Sequence, residues 1–383
     1  MSKWVTATAF AQRELAKAIS PDVSGCTVKA KVESGLTGSA FRLVFAEDYG
    51  NTAAEYLGAV VEVAGKKTQL TFDGAKAFTV NPGQRIASDR VDMPVASGEV
   101  VTLWLAVGEH ASASETLLEQ QHTGKGDYSQ DGFRAEPYVC PLPGAPFTER
   151  LCGLKELQVE VNESAKVESV AVFGDSIAES AVWIHPLQKR IQNENRNITL
   201  LNLGIGGNRL LKNTNVPMMM GINAFGNAGL KRLESDILAL EGVRGVIVAM
   251  GINDIAQPGG APGFSPPIQE LCTAEELKAG LTEVVNKCRA KGLAVIGATI
   301  TPFKGFPSYN ERTASIRNEV NEWILTCGLF DMTIDLGTLL GNAEDPESMP
   351  ENWQVGDHLH PNPIGGAAAA ERVNVEQLLS ILG

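Results

Sequence analysis

The pattern of apolar and polar positions divides this chain into two parts. Up to about residue 165, short runs alternate between apolar and polar residues, which is typical of half-buried strands. Turn signals such as Asp73-Gly and Asn81-Pro-Gly separate the runs at a spacing of about ten residues. The predicted strands are 26–32, 40–46, 57–64, 67–72, 99–107 and 154–161. We therefore predict an antiparallel β-sandwich, of jelly-roll type, over residues 1–165.

Two segments of this first part do not follow the strand pattern. Residues 7–19 predict one short helix at the front of the sandwich. Residues 115–153 are polar and then rich in glycine and proline, which predicts a long irregular connection.

From about residue 166, apolar runs alternate with helical segments. The predicted strands are 167–173, 198–203, 243–250, 293–299 and 330–336, and they are apolar nearly throughout, as expected when helices cover both faces of a sheet. Helices are predicted from 176 to about 194, over 230–240, from the capping box Thr273-Ala-Glu-Glu276, over 311–327, and from Pro363 onward. This alternation predicts a three-layer α/β/α domain with a parallel sheet over residues 166–383.

Four polar segments follow the strands of this second part or precede its last helix. In parallel α/β sheets, the carboxyl ends of the strands meet at one edge, where ligands bind. The segments are Val170-Ala-Val-Phe-Gly-Asp-Ser176, Gly204-Ile-Gly-Gly-Asn-Arg209, Gly251-Ile-Asn-Asp254 and Gly356-Asp-His-Leu-His-Pro-Asn362. We expect them to converge.

The residue types in these segments suit acyl transfer. Ser176 is expected at the start of a helix, where unpaired backbone N–H groups favour developing negative charge. Asp357 and His360 are three residues apart, close enough for a carboxylate to orient an imidazole. Each feature alone also has a structural interpretation. Ser176 could be a helix cap, and Asp357 and His360 could be a surface pair. Together with Asn253 they supply a nucleophile, a base, an orienting acid and an oxyanion donor.

These four segments resemble the signature blocks of the SGNH (GDSL-type) serine esterases, in the right order and over the whole second part. The resemblance implies a flavodoxin-like sheet, Ser176 as nucleophile, His360 as base and Asp357 as its orienting acid. It also implies an oxyanion hole made by the backbone N–H groups of Ser176 and Gly207 and the side chain of Asn253. Gly206 is the alternative to Gly207.

Within that family the blocks look like a lysophospholipase-L1-like branch, which also tends to carry an N-terminal β domain. Two positions depart from the family pattern. The first block continues Ile177-Ala-Glu179 where Ile-Thr-x-Gly or Leu-Thr-x-Gly is usual, and the second has Gly206 where many members have serine.

Composition limits the partners. The net charge of −13 argues against nucleic acid or an anionic membrane as a partner. No apolar run approaches the roughly 20 residues that span a bilayer. No signal peptide is seen, so we expect a cytoplasmic protein, or a secreted one if a leader was removed. The sequence predicts no oligomeric state.

Cysteines and histidines outside the four blocks indicate no further chemistry. The six cysteines lack CxxC spacing and are expected as free thiols, with a bond between Cys140 and Cys152 as the alternative. No metal or cofactor is predicted. We expect structural or surface roles for His110, His122, His185 and His358. Trp183 and Trp353 either line the substrate pocket or pack in the core.

The predicted function is hydrolysis of carboxylic esters through an acyl-serine, with short acyl esters, acetyl groups on carbohydrate among them, as substrates. One alternative is a lysophospholipase or thioesterase acting on longer acyl chains. The other is a carbohydrate-binding protein with a relic hydrolase domain.

Overall fold

The chain folds into two compact units, Met1–Val167 and Glu168–Gly383. The structure, a computed structural model, describes residues 1–14, 23–115, 120–124, 152–194, 197–216 and 222–382. Among these residues, no helix is both long enough and apolar enough to cross a membrane.

The first unit consists of antiparallel β-sheets. Its described strands are β1 (Ser2–Ala9), β2 (Arg13–Glu14), β3 (Thr27–Glu33), β4 (Ala40–Ala46), β5 (Ala54–Val63), β6 (Lys66–Leu70), β7 (Phe78–Val80), β8 (Arg85–Ala87), β9 (Val100–Val107), β10 (Ser114–Glu115), β11 (Gln120–Gly124) and β12 (Leu154–Asn162). One sheet has the order β1-β12-β4-β8 and a second has the order β11-β3-β9-β5-β6, with β7 also paired to β5. Strands β10 and β2 form a separate pair.

One hydrophobic core serves these sheets. Alternate residues of the strands enter it, so that in β3 Val28, Ala30 and Val32 are buried. Phe45 lies against the rings of Tyr56 and Phe78, with ring centroids 5.5 and 5.1 Å away. The period of two in the sequence therefore predicts this part of the fold, because it reports which side chains face the core.

The predicted helix at 7–19 is wrong where the structure describes it. Strand β1 runs to Ala9 and β2 covers Arg13–Glu14, while residues 15–22 lie outside the described part. Strand β1 pairs along its length with β12, and Val5 and Ala7 enter the core. Pairing with a strand about 150 residues away thus outweighs the local pattern. Most of the predicted connection at 115–153 also lies outside the described residues.

The second unit is a parallel sheet with helices. The strands β13 (Glu168–Gly174), β14 (Ile198–Gly204), β15 (Val243–Ala249), β16 (Ala294–Ala298) and β17 (Met332–Ile334) are arranged in the order β14-β13-β15-β16-β17, and every pairing is parallel. This order is the flavodoxin-like one. The predicted α/β fold is confirmed.

Nine helices are described in this unit: α1 (Ser176–Glu179), α2 (Ile184–Glu194), α3 (Gly229–Leu233), α4 (Ile252–Ala256), α5 (Ala274–Ala290), α6 (Glu311–Thr326), α7 (Leu336–Leu339), α8 (Pro363–Glu371) and α9 (Val375–Leu382). Helix α2 packs on α8 and α9, whereas α5 packs on α3 and α6. The predicted capping box of α5 is present, with Thr273 and Glu276 each accepting the other's backbone N–H.

Two predicted helices are more irregular than expected. The helix predicted at 176–194 is divided into α1 and α2, because Ala181 between them has a φ of 56°, outside the helical region. The helix predicted at 230–240 exists, but α3 continues into a π-helical turn over Glu234–Leu238.

The register of the sheet brings three of the polar segments together. Gly174, the last residue of β13, pairs with Gly204 at the end of β14 and with Ala249 at the end of β15. The chain turns after each of these paired residues. Ser176 and Gly251 therefore each lie two residues beyond the end of a strand.

Candidate active site

Ser176, His360 and Asp357 form a continuous hydrogen-bonded relay. Ser176 Oγ lies 2.7 Å from His360 Nε2, and His360 Nδ1 lies 2.5 Å from Asp357 Oδ2. In the tautomer that serves both contacts, Nδ1–H donates to the carboxylate and Nε2 accepts the serine proton. The structure thus brings together the three side chains that the sequence singled out, although 184 residues separate Ser176 from His360.

The loop around Asp357 holds the carboxylate ionised. Its Oδ1 accepts the backbone N–H groups of Leu359 at 3.0 Å and of His360 at 2.9 Å. Partial burial opposes ionisation, but these bonds and the contact with the His360 ring together lower the pKa of Asp357. A carboxylate held in this way fixes the orientation of the imidazole.

Ser176 is the first residue of α1, directly after the turn that ends β13. Asp175 caps the helix by accepting the N–H of Ile177 at 3.1 Å. The turn is tight, because a Cβ at Gly204 would overlap the backbone of Glu179 and lie 2.7 Å from the carbonyl of Asp175. The serine hydroxyl is therefore presented at the carboxyl edge of the sheet by a helix start packed against the neighbouring strand.

The two candidate glycines of the second segment differ in the hydrogen bonds of their backbone N–H groups. The N–H of Gly206 donates to Glu179 Oε2 at 3.0 Å and is thereby engaged. The N–H of Gly207 makes no hydrogen bond to any other described residue. Gly207 has a φ of 72°, and a Cβ there would overlap the ring of Phe225. Both observations favour Gly207 as the backbone donor and explain why that position is glycine.

Asn253 lies at the start of α4 and is buried. Its Nδ2 donates to the carbonyl of Asn208 at 3.1 Å, and its Oδ1 accepts from Gln257 Nε2 at 3.1 Å. These partners fix which way the amide faces. Its Nδ2 carries a second hydrogen besides the one donated to Asn208.

Arg232 bonds residues of the first and second segments. This role was not predicted from the sequence. Its guanidinium is 2% exposed and donates to the carbonyls of Gly174 and Leu203 at 2.8 and 3.0 Å. It also donates to Asn208 Oδ1 and pairs with Asp236, both at 2.9 Å. One buried side chain thus holds the ends of β13 and β14 and the second segment. The only signal in the sequence is the four-residue spacing to Asp236 on one helix.

The carboxylates of Asp175 and Asp254, next to Ser176 and Asn253 in the sequence, are buried. Burial raises the pKa of Asp175 to about 7, with repulsion from Asp254 adding to the shift. Burial likewise raises the pKa of Asp254 to about 6, although the N–H groups of Leu210 and Leu211 stabilise its charge. Because Asp254 accepts the N–H groups of Leu210 and Leu211, it anchors the chain that follows the second segment.

The other histidines and tryptophans singled out from the sequence have partners outside the three residues of the relay. His358, with a φ of 63°, interacts with Gln354 through its backbone N–H and its ring, and His185 is exposed on α2. Trp183 is completely buried, with Nε1 donating to the carbonyl of Ile177, and Trp353 packs against Leu340, Met349 and Ala369. Both tryptophans therefore take part in packing.

Two cysteines of this unit, Cys272 and Cys288, are buried. Cys288 is buried on α5 as predicted, and burial raises the pKa of the Cys288 and Cys272 thiols to about 12. Cys140 lies outside the described residues.

Comparison with known proteins identifies relatives of the second unit. Residues 172–368, just over half of the 383-residue chain, match the model of the GDSL-like Lipase/Acylhydrolase family. None of the curated proteins matches the chain.

Similar solved structures include a putative acylhydrolase from Bacteroides fragilis (17% identity, 57% of this chain and 90% of that chain, TM-score 0.39). A GDSL-like lipase from Bacteroides thetaiotaomicron has 14% identity over 57% of this chain and 93% of that one, with a TM-score of 0.39. A catalytic mutant of an acetylxylan esterase from Geobacillus stearothermophilus has 16% identity over 56% and 94%, also with a TM-score of 0.39.

Proposed function

This chain belongs to the GDSL-like lipase/acylhydrolase family of carboxylic ester hydrolases, and from that premise we propose that Ser176 is its nucleophile and short acyl esters are its substrates. The observation that carries the proposal is the relay in which His360 Nε2 lies 2.7 Å from Ser176 Oγ and Nδ1 lies 2.5 Å from Asp357.

In the proposed first half-reaction, Ser176 Oγ attacks the ester carbonyl while its proton passes to His360 Nε2. The negative charge that forms on the carbonyl oxygen is stabilised by the N–H groups of Ser176 and Gly207 and by the Asn253 amide. Collapse of the intermediate breaks the bond to the alcohol oxygen, which takes the proton from His360. The products are a free alcohol and an acyl-serine.

In the second half-reaction, water takes the place of the serine hydroxyl. His360 accepts a proton from the water as its oxygen attacks the acyl carbonyl. The second tetrahedral intermediate releases Ser176, which recovers its proton from His360, and the carboxylic acid leaves. Asp357 stays ionised throughout and stabilises the imidazolium in both steps.

Phe225 supports the preference for short acyl groups. Its ring packs directly against Gly207, where an added Cβ would overlap it. Because the scissile carbonyl must contact the Gly207 N–H, this ring restricts the space beside the reacting carbon. We propose acetyl as the preferred acyl group. We extend the proposal to acetyl groups on carbohydrate, since a separate β-sheet unit precedes the esterase unit and would hold a polymeric substrate.

The test is hydrolysis of p-nitrophenyl esters with acyl chains of 2, 4, 8 and 16 carbons, followed by acetylated xylan and lysophosphatidylcholine. We expect the highest kcat/KM with acetate, loss of activity of at least about 10³-fold in Ser176→Ala, and a shift toward longer chains in Phe225→Ala. A preference of the wild type for 8 or 16 carbons would instead support the lysophospholipase or thioesterase alternative. No activity on any ester would favour a carbohydrate-binding role.

A further inference from the structure

We propose that Gln257 is a positioning residue that sets the orientation of the Asn253 side-chain amide, one of the proposed oxyanion-hole donors. It is half-buried at the C-cap of α4. Its Nε2 donates to the carbonyl of Gly207 at 2.7 Å and to Asn253 Oδ1 at 3.1 Å. One side chain therefore bonds both residues proposed to supply donors from outside the nucleophile turn. The inference rests on the proposed function of this site.

The orientation of the Gln257 amide is itself fixed. Its Oε1 accepts from the hydroxyl of Thr214 at 3.0 Å, and Thr214 is buried. The reverse orientation would place the amide oxygen against two acceptors, Gly207 O and Asn253 Oδ1, and its NH₂ against the hydroxyl. The NH₂ group is thus directed at the two residues of the hole.

The consequence for Asn253 is that its own amide cannot turn over. Gln257 occupies Oδ1, and the carbonyl of Asn208 accepts one hydrogen of Nδ2. If the Asn253 amide turned over, its oxygen would face the Asn208 carbonyl and, on its other side, the developing oxyanion. Removing the donor on Gln257 leaves Asn208 alone to maintain the productive orientation, so a fraction of molecules would present oxygen to the oxyanion.

Gln257→Met keeps the length of the side chain and removes its hydrogen bonds. We expect it to lower kcat for p-nitrophenyl acetate about 10–100-fold, less than the loss of an oxyanion donor itself, and to change KM less than about 3-fold, because only the transition state is affected. Gln377→Met, the same exchange at an exposed position of α9, is the matched control and should leave kcat unchanged.

A double-mutant cycle distinguishes positioning from a structural role. In an Asn253→Ala background there is no amide to orient, so adding Gln257→Met should lower kcat by less than about 3-fold. Gln257→Glu, which brings a carboxylate toward two acceptors, should reduce kcat at least as much as Gln257→Met. If Gln257→Met fails to fold, as judged by thermal unfolding, Thr214→Val replaces it and should lower kcat with KM unchanged.

The inference is overturned if Gln257→Met retains wild-type kcat, or if its full effect persists in the Asn253→Ala background. If the wild type hydrolyses no ester, the proposed function fails and the inference fails with it. If the wild type hydrolyses esters and Ser176→Ala does not, an active Gln257→Met rejects the positioning role alone.

Discussion

The carboxylate of Glu179 accepts the backbone N–H of Gly206 at 3.0 Å. Glu179 is the last residue of α1, so a side chain three residues after the proposed nucleophile holds the loop after β14. The Gly206 N–H is thereby engaged, which supports Gly207 as the proposed oxyanion donor. Gly206 is one of the two positions at which the sequence departs from the family pattern.

Glu179→Ala should release this loop. We expect kcat/KM for p-nitrophenyl acetate to fall about 10- to 100-fold, the range that corresponds to one hydrogen bond to a charged group. Glu179→Gln should retain most of the activity, because its amide oxygen can still accept the Gly206 N–H. Glu194→Ala, at an exposed position of α2, is the control. Unchanged activity in Glu179→Ala would show that the loop is held without this bond.

The two adjacent glycines should respond differently to alanine. Gly207→Ala places a Cβ on a residue with a φ of 72° and against Phe225. We expect it to lower kcat/KM at least about 100-fold by displacing the donor. Gly206 is not among the described glycines with positive φ, and Gly206→Ala should keep activity within about 10-fold of the wild type. The opposite ranking would assign the oxyanion donor to Gly206. Steady-state kinetics of the two purified variants makes the comparison.

Asp175 predicts a pH dependence of stability. Because its pKa is raised to about 7 in the folded protein, the folded state binds more protons than the unfolded state between about pH 4 and pH 7. The contribution of Asp175 to stability is therefore complete at low pH and is lost as the pH rises through that window, with a slope of at most about 1.4 kcal/mol per pH unit.

Asp175→Asn should flatten this dependence, since an amide oxygen still caps Ile177 but does not titrate. Urea unfolding at pH 4, 5.5, 7 and 8 measures the difference. Asp345→Asn provides a control of opposite sign, because the hydrogen bond from Lys304 lowers the pKa of the partly exposed Asp345. A wild type and an Asp175→Asn variant with parallel pH profiles would contradict the assignment.

Arg232 should be the most costly polar residue of the site to replace. Arg232→Met leaves Asp236 buried without its cation and leaves the Gly174 and Leu203 carbonyls without a donor. We expect a loss of about 3–5 kcal/mol in the free energy of unfolding. Arg244→Met, whose exposed guanidinium pairs with Glu168, should cost less than about 1 kcal/mol. Similar losses in the two variants, measured by urea unfolding, would argue against a central role for Arg232.

The parts of the fold that could be predicted are those specified by local pattern. Apolar runs gave the strands β13 to β17 to within one or two residues, and the Thr273 capping box gave the start of α5. Three of the four segments could be grouped because parallel strands share a carboxyl edge. The fourth, which precedes α8, follows no strand directly, and its grouping with the others was supported by the family resemblance.

The parts that could not be predicted depend on contacts distant in sequence. Strand β1 pairs along its length with β12, whereas the local pattern predicted a helix that began within its last three residues. Arg232, Gln257 and Glu179 each bond a residue of the second segment that lies 24 to 50 positions away. Packing determines which residues meet across such distances. Residue spacing along the chain therefore gives little indication of these contacts.

The central claim is that Ser176 is a nucleophile activated by His360. Intact-mass measurement after incubation with a fluorophosphonate, followed by peptide mapping, tests it most directly. We predict one adduct per chain on Ser176 in the wild type, none in Ser176→Ala, and labelling slowed at least about 10²-fold in His360→Ala. No adduct in the folded wild type, or equal labelling of Ser176→Ala, would contradict the account.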